Sequence, residues 1–170
     1  MTNPKILIIG YGRGGKDTAA EYLSKRFGYT FSSSSAYVCK KLIYSALKDI
    51  ANCTSEEECY KDRHSLRPLW YELICLYNRD IPSRLAENII SEYDIYVGMR
   101  DKDELKAGKE KKLFDYILWI DGVDRTGYIE DESSCNITQY DADFIIDNNK
   151  DEKYLYQQLD QLFSKGEYIA

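Results

Sequence analysis

Gly10-Tyr11-Gly12-Arg13-Gly14-Gly15-Lys16-Asp17-Thr18 lies between an apolar run, Lys5-Ile6-Leu7-Ile8-Ile9, and a helical pattern that begins at Lys16. The spacing is GxxxxGK, with strand before and helix after, which is the context a phosphate-binding loop of the Walker A type requires. Glycines let consecutive backbone N–H groups turn inward and let phosphate oxygens come close. The helix N-terminus adds a favourable field for an anion, and a lysine at position 16 reaches the β- and γ-phosphates as a point charge. The nucleotide-binding set read from the loop is Gly12, Arg13, Gly14, Gly15, Lys16, Asp17 and Thr18. Asp17 stands where the strict pattern has Ser or Thr, and Thr18 follows one place later. Thr18 is the better hydroxyl for a magnesium ion. Asp17 either faces that metal or serves only as negative charge in the first helical turn.

Outward from the loop, short apolar runs alternate with longer helical patterns. Ala19, Ala20, Leu23 and Phe27 recur at helical spacing through Lys16 to Phe27, and Gly28 stands where a helix commonly ends in a left-handed residue. Tyr29 to Phe31 reads as a second strand, and Ser32 to Ser35 offer N-caps for a helix running to about Asp49. Thr54 and Glu57 form a capping-box pair, and Leu66, Leu69, Trp70, Leu73, Ile74 and Tyr77 make one apolar helix face. A helix after Ser83 runs through Ser91. Asp94 to Gly98, Tyr116 to Ile120 and Phe144 to Ile146 read as strands, with a charged helix over Lys102 to Lys112 and an amphipathic one over Glu152 to Phe163.

Strands bracketed by helices predict parallel pairing through right-handed crossovers. Their apolar character predicts an α/β three-layer fold, a five-stranded parallel sheet with helices on both faces. Ligands then bind beyond the carboxyl ends of the strands, where Gly10 to Lys16, Ser32 to Ser35, Arg100-Asp101, Asp121 to Arg125 and Asp147-Asn148-Asn149 fall in the chain.

A chain of 170 residues suits one compact domain. The formal charge of -6 argues against a uniformly basic nucleic-acid binder but allows a local cationic pocket for a phosphorylated small molecule. Five cysteines, an odd number with no CxxC pair, fit a reducing cytoplasm better than a disulfide framework or a structural zinc. The run Ile6 to Ile9 is too short for a signal peptide or membrane span. The expected location is therefore cytoplasmic, the host cytoplasm if the protein is viral. Sixteen tyrosines, against five Phe and two Trp, place much of the aromatic mass where a hydroxyl can meet water or a ligand.

Gly15-Lys16-Asp17-Thr18-Ala19-Ala20 resembles the loop of phage deoxynucleoside monophosphate kinases, which belong with the adenylate-kinase-like P-loop kinases. Gly28-Tyr29 through Ser32-Ser33 is similar to that family's second strand and acceptor-site entry. Asp94 to Arg100 with Glu104 resembles its third strand and arginine, and Asp143 to Asn148 its closing strand. Asp62-Arg63-His64, Trp70 to Cys75 and Tyr96 to Arg100 also resemble stretches of phage kinases that phosphorylate 5-hydroxymethyluracil within DNA. Two departures stand out: Gly98 occupies a place where an aspartate often precedes the arginine, and Gly122 to Cys135 is short for an arginine-rich lid.

The resemblance implies a single kinase domain over residues 1–170, with a helical acceptor-binding insert at about 36–92 and a short lid-like segment at about 122–140. It implies ATP as donor, Mg2+ as cofactor, and phosphoryl transfer to a deoxynucleoside monophosphate. The alternative acceptor is hydroxymethyluracil in DNA during hypermodification. A non-catalytic nucleotide switch is a third reading, disfavoured because Asn148-Asn149-Lys150-Asp151 is out of place for a guanine-recognition run. No membrane partner is expected, and a homodimer is left open.

The catalytic set expected is Lys16, Arg100, Arg125 and Asp62. Arg100, just past a strand end, can grip a phosphate with its planar fork or form an ion pair with Asp101 or Glu104. Arg125 is either a lid arginine sensing the γ-phosphate or a solvated loop residue. Asp62 gains importance only if a hydroxyl acceptor must lose a proton. Ser33, Arg63, Arg67 and Arg100 form the acceptor-binding set. Arg63 and Arg67 share a helical face that is otherwise simply solvated, and the serines 32 to 35 otherwise cap a helix. Asn148 either contacts the adenine or belongs to a turn.

Overall fold

The computed structural model describes residues 3–44, 55–61, 67–132 and 134–164, without the side chains of residues 42, 43, 67 and 68. Asp62, Arg63, His64, Leu66, Thr54 of the capping-box pair, the 45–49 end of the second expected helix and the Arg67 side chain therefore lie outside the described residues.

The elements run β1 (Ile6–Ile9), α1 (Lys16–Phe27), β2 (Phe31–Ser33), α2 (Ser34–Val38) with a π-helical turn over Cys39–Ile43, α3 (Glu56–Lys61), α4 (Arg67–Asn78), α5 (Arg84–Glu92), β3 (Ile95–Val97), α6 (Lys102–Glu110), β4 (Tyr116–Asp121), α7 (Val123–Thr126), a 3-10 turn at Gln139–Asp141, β5 (Phe144–Asp147) and α8 (Glu152–Phe163). The five strands form one parallel sheet in the order β2-β3-β1-β4-β5.

Because side chains alternate across a strand, the apolar runs divide cleanly between two cores. Leu7, Ile9, Tyr96, Ile117 and Trp119 face a cluster completed by Val38, Trp70, Leu85, Ile89 and Leu105. Ile6, Ile8, Ile95, Val97, Leu118, Ile120 and Ile146 face Ala19, Ala20, Leu23, Leu155 and Leu159. Helices α1 and α8 thus cover one face, and α2, α4, α5 and α6 the other. This is the three-layer α/β arrangement expected from the strand pattern. Leu162 on α8 is partly buried against the second core.

One strand boundary differs from the sequence expectation. Strand β2 begins at Phe31 rather than Tyr29, because its register is set by β3: Phe31, Ser32 and Ser33 pair with Ile95, Tyr96 and Val97. Tyr29 and Thr30 instead form the approach, where the Asp94 carboxylate accepts from the Thr30 N–H and hydroxyl, both at 3.0 Å. After β2 the chain is α-helical over Ser34–Val38 and stays helical, in a π turn, over Cys39–Ile43; Ser33 caps it by accepting the Ala36 N–H at 3.1 Å, and the expected end near Asp49 lies outside the described residues.

One buried carboxyl is tied to the first core. Glu104 on α6 is 3% exposed and accepts a hydrogen bond from the Tyr96 hydroxyl at 3.1 Å. Burial pushes its carboxyl up to about 8, aided by Asp101 and opposed by hydrogen bonds from Tyr96, Ala86 and Asn78. A raised carboxyl contributes stability that is complete below its ordinary value, near 4.5, and is lost as pH rises through about 8. Across that window the unfolding free energy attributable to Glu104 falls by roughly 1.4 kcal/mol per pH unit. Glu104→Gln removes this slope, so the melting-temperature advantage of the variant widens between pH 5 and pH 9. Parallel melting curves for the two proteins across that range would contradict it.

Candidate phosphate-binding site

The connections from β1 and β3 leave the sheet toward opposite faces, α1 to one and α6 to the other, so a crevice opens between their carboxyl ends. The Gly10 to Lys16 loop fills one side of this crevice and Gly98 to Arg100 the other.

Two glycines in the loop are dictated by contact. At Gly10, φ is 142° and a β-carbon would stand 2.5 Å from the Ile120 carbonyl oxygen on the adjacent strand. At Gly15, which precedes α1, φ is 97° and a β-carbon would stand 2.1 Å from Asn148 Nδ2. Arg13 also takes a left-handed conformation, with φ 63°. The loop closes on itself through the Gly14 N–H and the Tyr11 carbonyl, 3.3 Å apart.

Lys16 crosses the loop and donates from Nζ to the Tyr11 carbonyl at 2.7 Å. Burial, aided by the Arg100 charge and opposed by Glu130 and Asp17, lowers its ammonium to about 8. Asp17 is exposed at the cavity wall, and Thr18 is partly buried in the first turn of α1. Mg2+ keeps several waters and needs only one or two protein oxygens besides phosphate, so the Thr18 hydroxyl and the Asp17 carboxylate suffice as candidates.

The clearest sign that the loop accepts an anion comes from Glu130. Its carboxylate accepts the Gly12 N–H at 2.9 Å through Oε2 and pairs with the Arg100 guanidinium through Oε1. The Glu130 side chain is fully buried and that of Arg100 is 28% exposed. Arg100 is thus neither a solvated arginine nor a partner of Glu104, which bonds Tyr96 instead. Tyr128 belongs to the same segment; its ring carries the Arg13 guanidinium at 5.6 Å and lies beside Gly12.

Residues expected at the nucleotide take bracing positions. Asn148, 6% exposed at the end of β5, donates from Nδ2 to the Gly14 carbonyl at 2.7 Å and so supports the loop from beneath. Arg125 donates from Nε to the Asn148 carbonyl at 2.9 Å and from a terminal nitrogen to the Arg13 carbonyl at 3.4 Å. Its guanidinium is held against the loop by these backbone oxygens, with a terminal nitrogen 3.8 Å from where a β-carbon on Gly15 would stand.

A cavity of about 540 Å³ is lined by Gly12, Arg13, Lys16 and Arg100, by Ser33 and Ser34, and by Tyr60, Trp70 and Tyr71. Ser33 lines it while capping α2, and Ser34 donates to the Gly98 carbonyl at 3.2 Å. Sequence reasoning did not single out Glu130, Tyr128, Tyr60 or Tyr71 as site residues. Only the count of tyrosines hinted at an aromatic wall. Nothing in local spacing marks Glu130, which follows Ile129, 64% exposed.

No protein-family model matches the chain, and no curated protein matches it. Among solved structures it is similar to shikimate kinase from Acinetobacter baumannii in complex with shikimate, at 11% identity over 97% of this chain and 96% of that one, with a TM-score of 0.57. It is also similar to shikimate kinase from Bacteroides thetaiotaomicron, at 12% identity over 95% of this chain and 98% of that one, with a TM-score of 0.53. At such identity the likeness speaks to architecture alone: a five-stranded parallel sheet flanked by helices, as in those two kinases.

Proposed function

We propose that the protein is an ATP- and magnesium-dependent kinase that transfers the γ-phosphoryl group to a deoxynucleoside monophosphate. The observation that carries this reading is one cavity lined by Lys16 and the glycine loop, by Arg100, and by Tyr60, Trp70 and Tyr71. The glycine loop and Lys16 match a triphosphate. The aromatic rings match a planar base, and Arg100 matches an acceptor phosphate.

Bound there, ATP supplies the phosphoryl group and Mg2+ neutralises its oxygens. The chain's work is positioning and charge. The Gly12 N–H and Lys16 bind phosphate oxygens, and Lys16 balances charge on the transferring group. Thr18, with Asp17 as the second candidate, holds the metal. Arg100 orients the acceptor phosphate, whose oxygen forms a bond to the γ-phosphorus as the bond to the β,γ-bridging oxygen breaks and ADP leaves. No protein base is needed, because a phosphate acceptor brings no hydroxyl proton that must be removed.

The test is an incubation with γ-labelled ATP and Mg2+ in separate arms. One arm offers the deoxynucleoside monophosphates, one DNA containing hydroxymethyluracil, and one shikimate, the compound for which both structural neighbours are named. Label in a monophosphate is the expected result. Label only in DNA or only in shikimate replaces the acceptor, and label in none of the three sinks the reading.

A further inference from the structure

Glu130 is placed against the rule its neighbours obey. In the stretch Gly127 to Asp131 the apolar Ile129 is 64% exposed, whereas the carboxylate beside it has a fully buried side chain. Local polarity is inverted at a point that touches the candidate site, and such inversions mark function more often than packing. The buried carboxylate lies on the Gly12 N–H, 2.9 Å away, and on the Arg100 guanidinium. Lys16 adds a second cation, close enough for Glu130 to stabilise its ammonium. Backbone N–H, arginine and lysine are the groups a phosphate oxygen would use.

We propose that Glu130 is an internal anion that plugs the phosphate cradle, so that a triphosphate binds by displacing its carboxylate and releasing Arg100. This rests on the phosphate-binding reading of the loop and adds a regulatory step to it. A carboxylate and a phosphate oxygen cannot both take the Gly12 N–H and remain side by side, since like charges in a partly dry site repel strongly.

The surrounding chain is suited to the exchange. Gly127 ends α7 in a left-handed conformation, φ 61°, and a β-carbon there would meet nothing within 4 Å. Beyond the plug, the chain is pinned by the Ser134 and Cys135 N–H groups on the Asp131 carbonyl, at 2.9 and 3.1 Å, and by the Asn136 N–H on the Arg100 carbonyl at 3.2 Å. The turn itself is held by the Gly127 N–H on the Val123 carbonyl at 2.7 Å and the Tyr128 N–H on the Thr126 hydroxyl at 3.2 Å, so a short strap between this left-handed turn and a fixed end can swing out without disturbing the sheet. Tyr128, which packs beside Gly12 and under Arg13, travels with it. The empty protein then keeps its cationic cradle neutralised, and Arg100 becomes available to the acceptor only once the donor has arrived.

The experiment compares Glu130→Gln with the unsubstituted protein by calorimetric titration with inorganic triphosphate, ATP and adenosine. The amide keeps the shape and loses the charge, so triphosphate and ATP bind about tenfold more tightly, the equivalent of one charge-assisted hydrogen bond, while adenosine affinity is unchanged. Binding in both proteins with no tightening in the variant overturns the plug and leaves the kinase reading standing. Tightening without any phosphoryl transfer supports the plug while the kinase reading fails. Absence of triphosphate binding in both proteins removes the loop reading and the plug together. A structure of the unsubstituted protein with triphosphate gives an independent check: Glu130 is expected off Gly12, and a complex that keeps that contact refutes the proposal.

Discussion

Lys16→Ala lowers the rate of phosphoryl transfer by about 10²- to 10³-fold, the size typical for removing one electrostatic contact to the transferring group, and leaves the fold intact. The hydrogen bond recorded for Lys16 Nζ is to the Tyr11 carbonyl, within the same loop. Its aliphatic stem passes Gly98 without filling a core, since Lys16 belongs to neither apolar cluster. Alanine is also the better helix former at the start of α1. Removing an ammonium that burial already disfavours relieves a cost rather than adding one. The variant therefore melts within about 1 kcal/mol of the unsubstituted protein, while its transfer rate collapses. Full activity in Lys16→Ala would refute the donor site. The charge itself has a pH signature: lysine is the cation below about 8 and loses its proton above it, so the free protein's affinity for triphosphate declines as pH passes that value. Lys16→Arg does not rescue, because a planar fork cannot take the place of a compact ammonium in a closed loop.

The parts of this site that the sequence displays are those built from local rules. A run of four apolar residues, a GxxxxGK turn and a helix that ends in Gly28 are all short-range signals, and Gly28 is indeed left-handed, with φ 78°. The central strands β1, β3 and β4 and their two-sided burial follow from period-two alternation among residues that are apolar at nearly every position. What stays hidden depends on residues far apart in the chain. Strand β2 is displaced by two residues because β3, more than sixty positions later, sets its register. Asn148 supports Gly14 across 134 positions of chain, and no local pattern tells a loop brace from an adenine contact. Arg125 is tied to the Asn148 and Arg13 carbonyls, contacts between distant parts of the chain that no local pattern announces. Glu130 is a charged residue in an irregular segment, and only the folded chain shows that it points inward onto Gly12 and Arg100.

Arg100→Ala has the largest expected effect on stability at the site, and the reason lies in its partner. The Glu130 side chain is fully buried, so deleting the guanidinium leaves a carboxylate without its principal counter-charge. Breaking a buried pair in this way costs about 3–5 kcal/mol. Arg100 is still 28% exposed, which favours the lower end, about 3 kcal/mol, or a fall in melting temperature of about 6–12 °C for a chain of this size. Phosphoryl transfer is lost at the same time, because the arginine that orients the acceptor has gone. A second substitution separates the two effects. Glu130→Gln added to Arg100→Ala restores most of the lost stability, since the stranded charge disappears, yet it restores none of the transfer. If the double variant melts as low as Arg100→Ala, the destabilisation came from lost packing rather than from an orphaned carboxylate. If it regains activity, Arg100 acts only by neutralising Glu130 and does not handle the acceptor. Stability recovered without activity is the outcome that assigns Arg100 both duties: counter-ion to Glu130 in the empty protein and phosphate ligand in the loaded one.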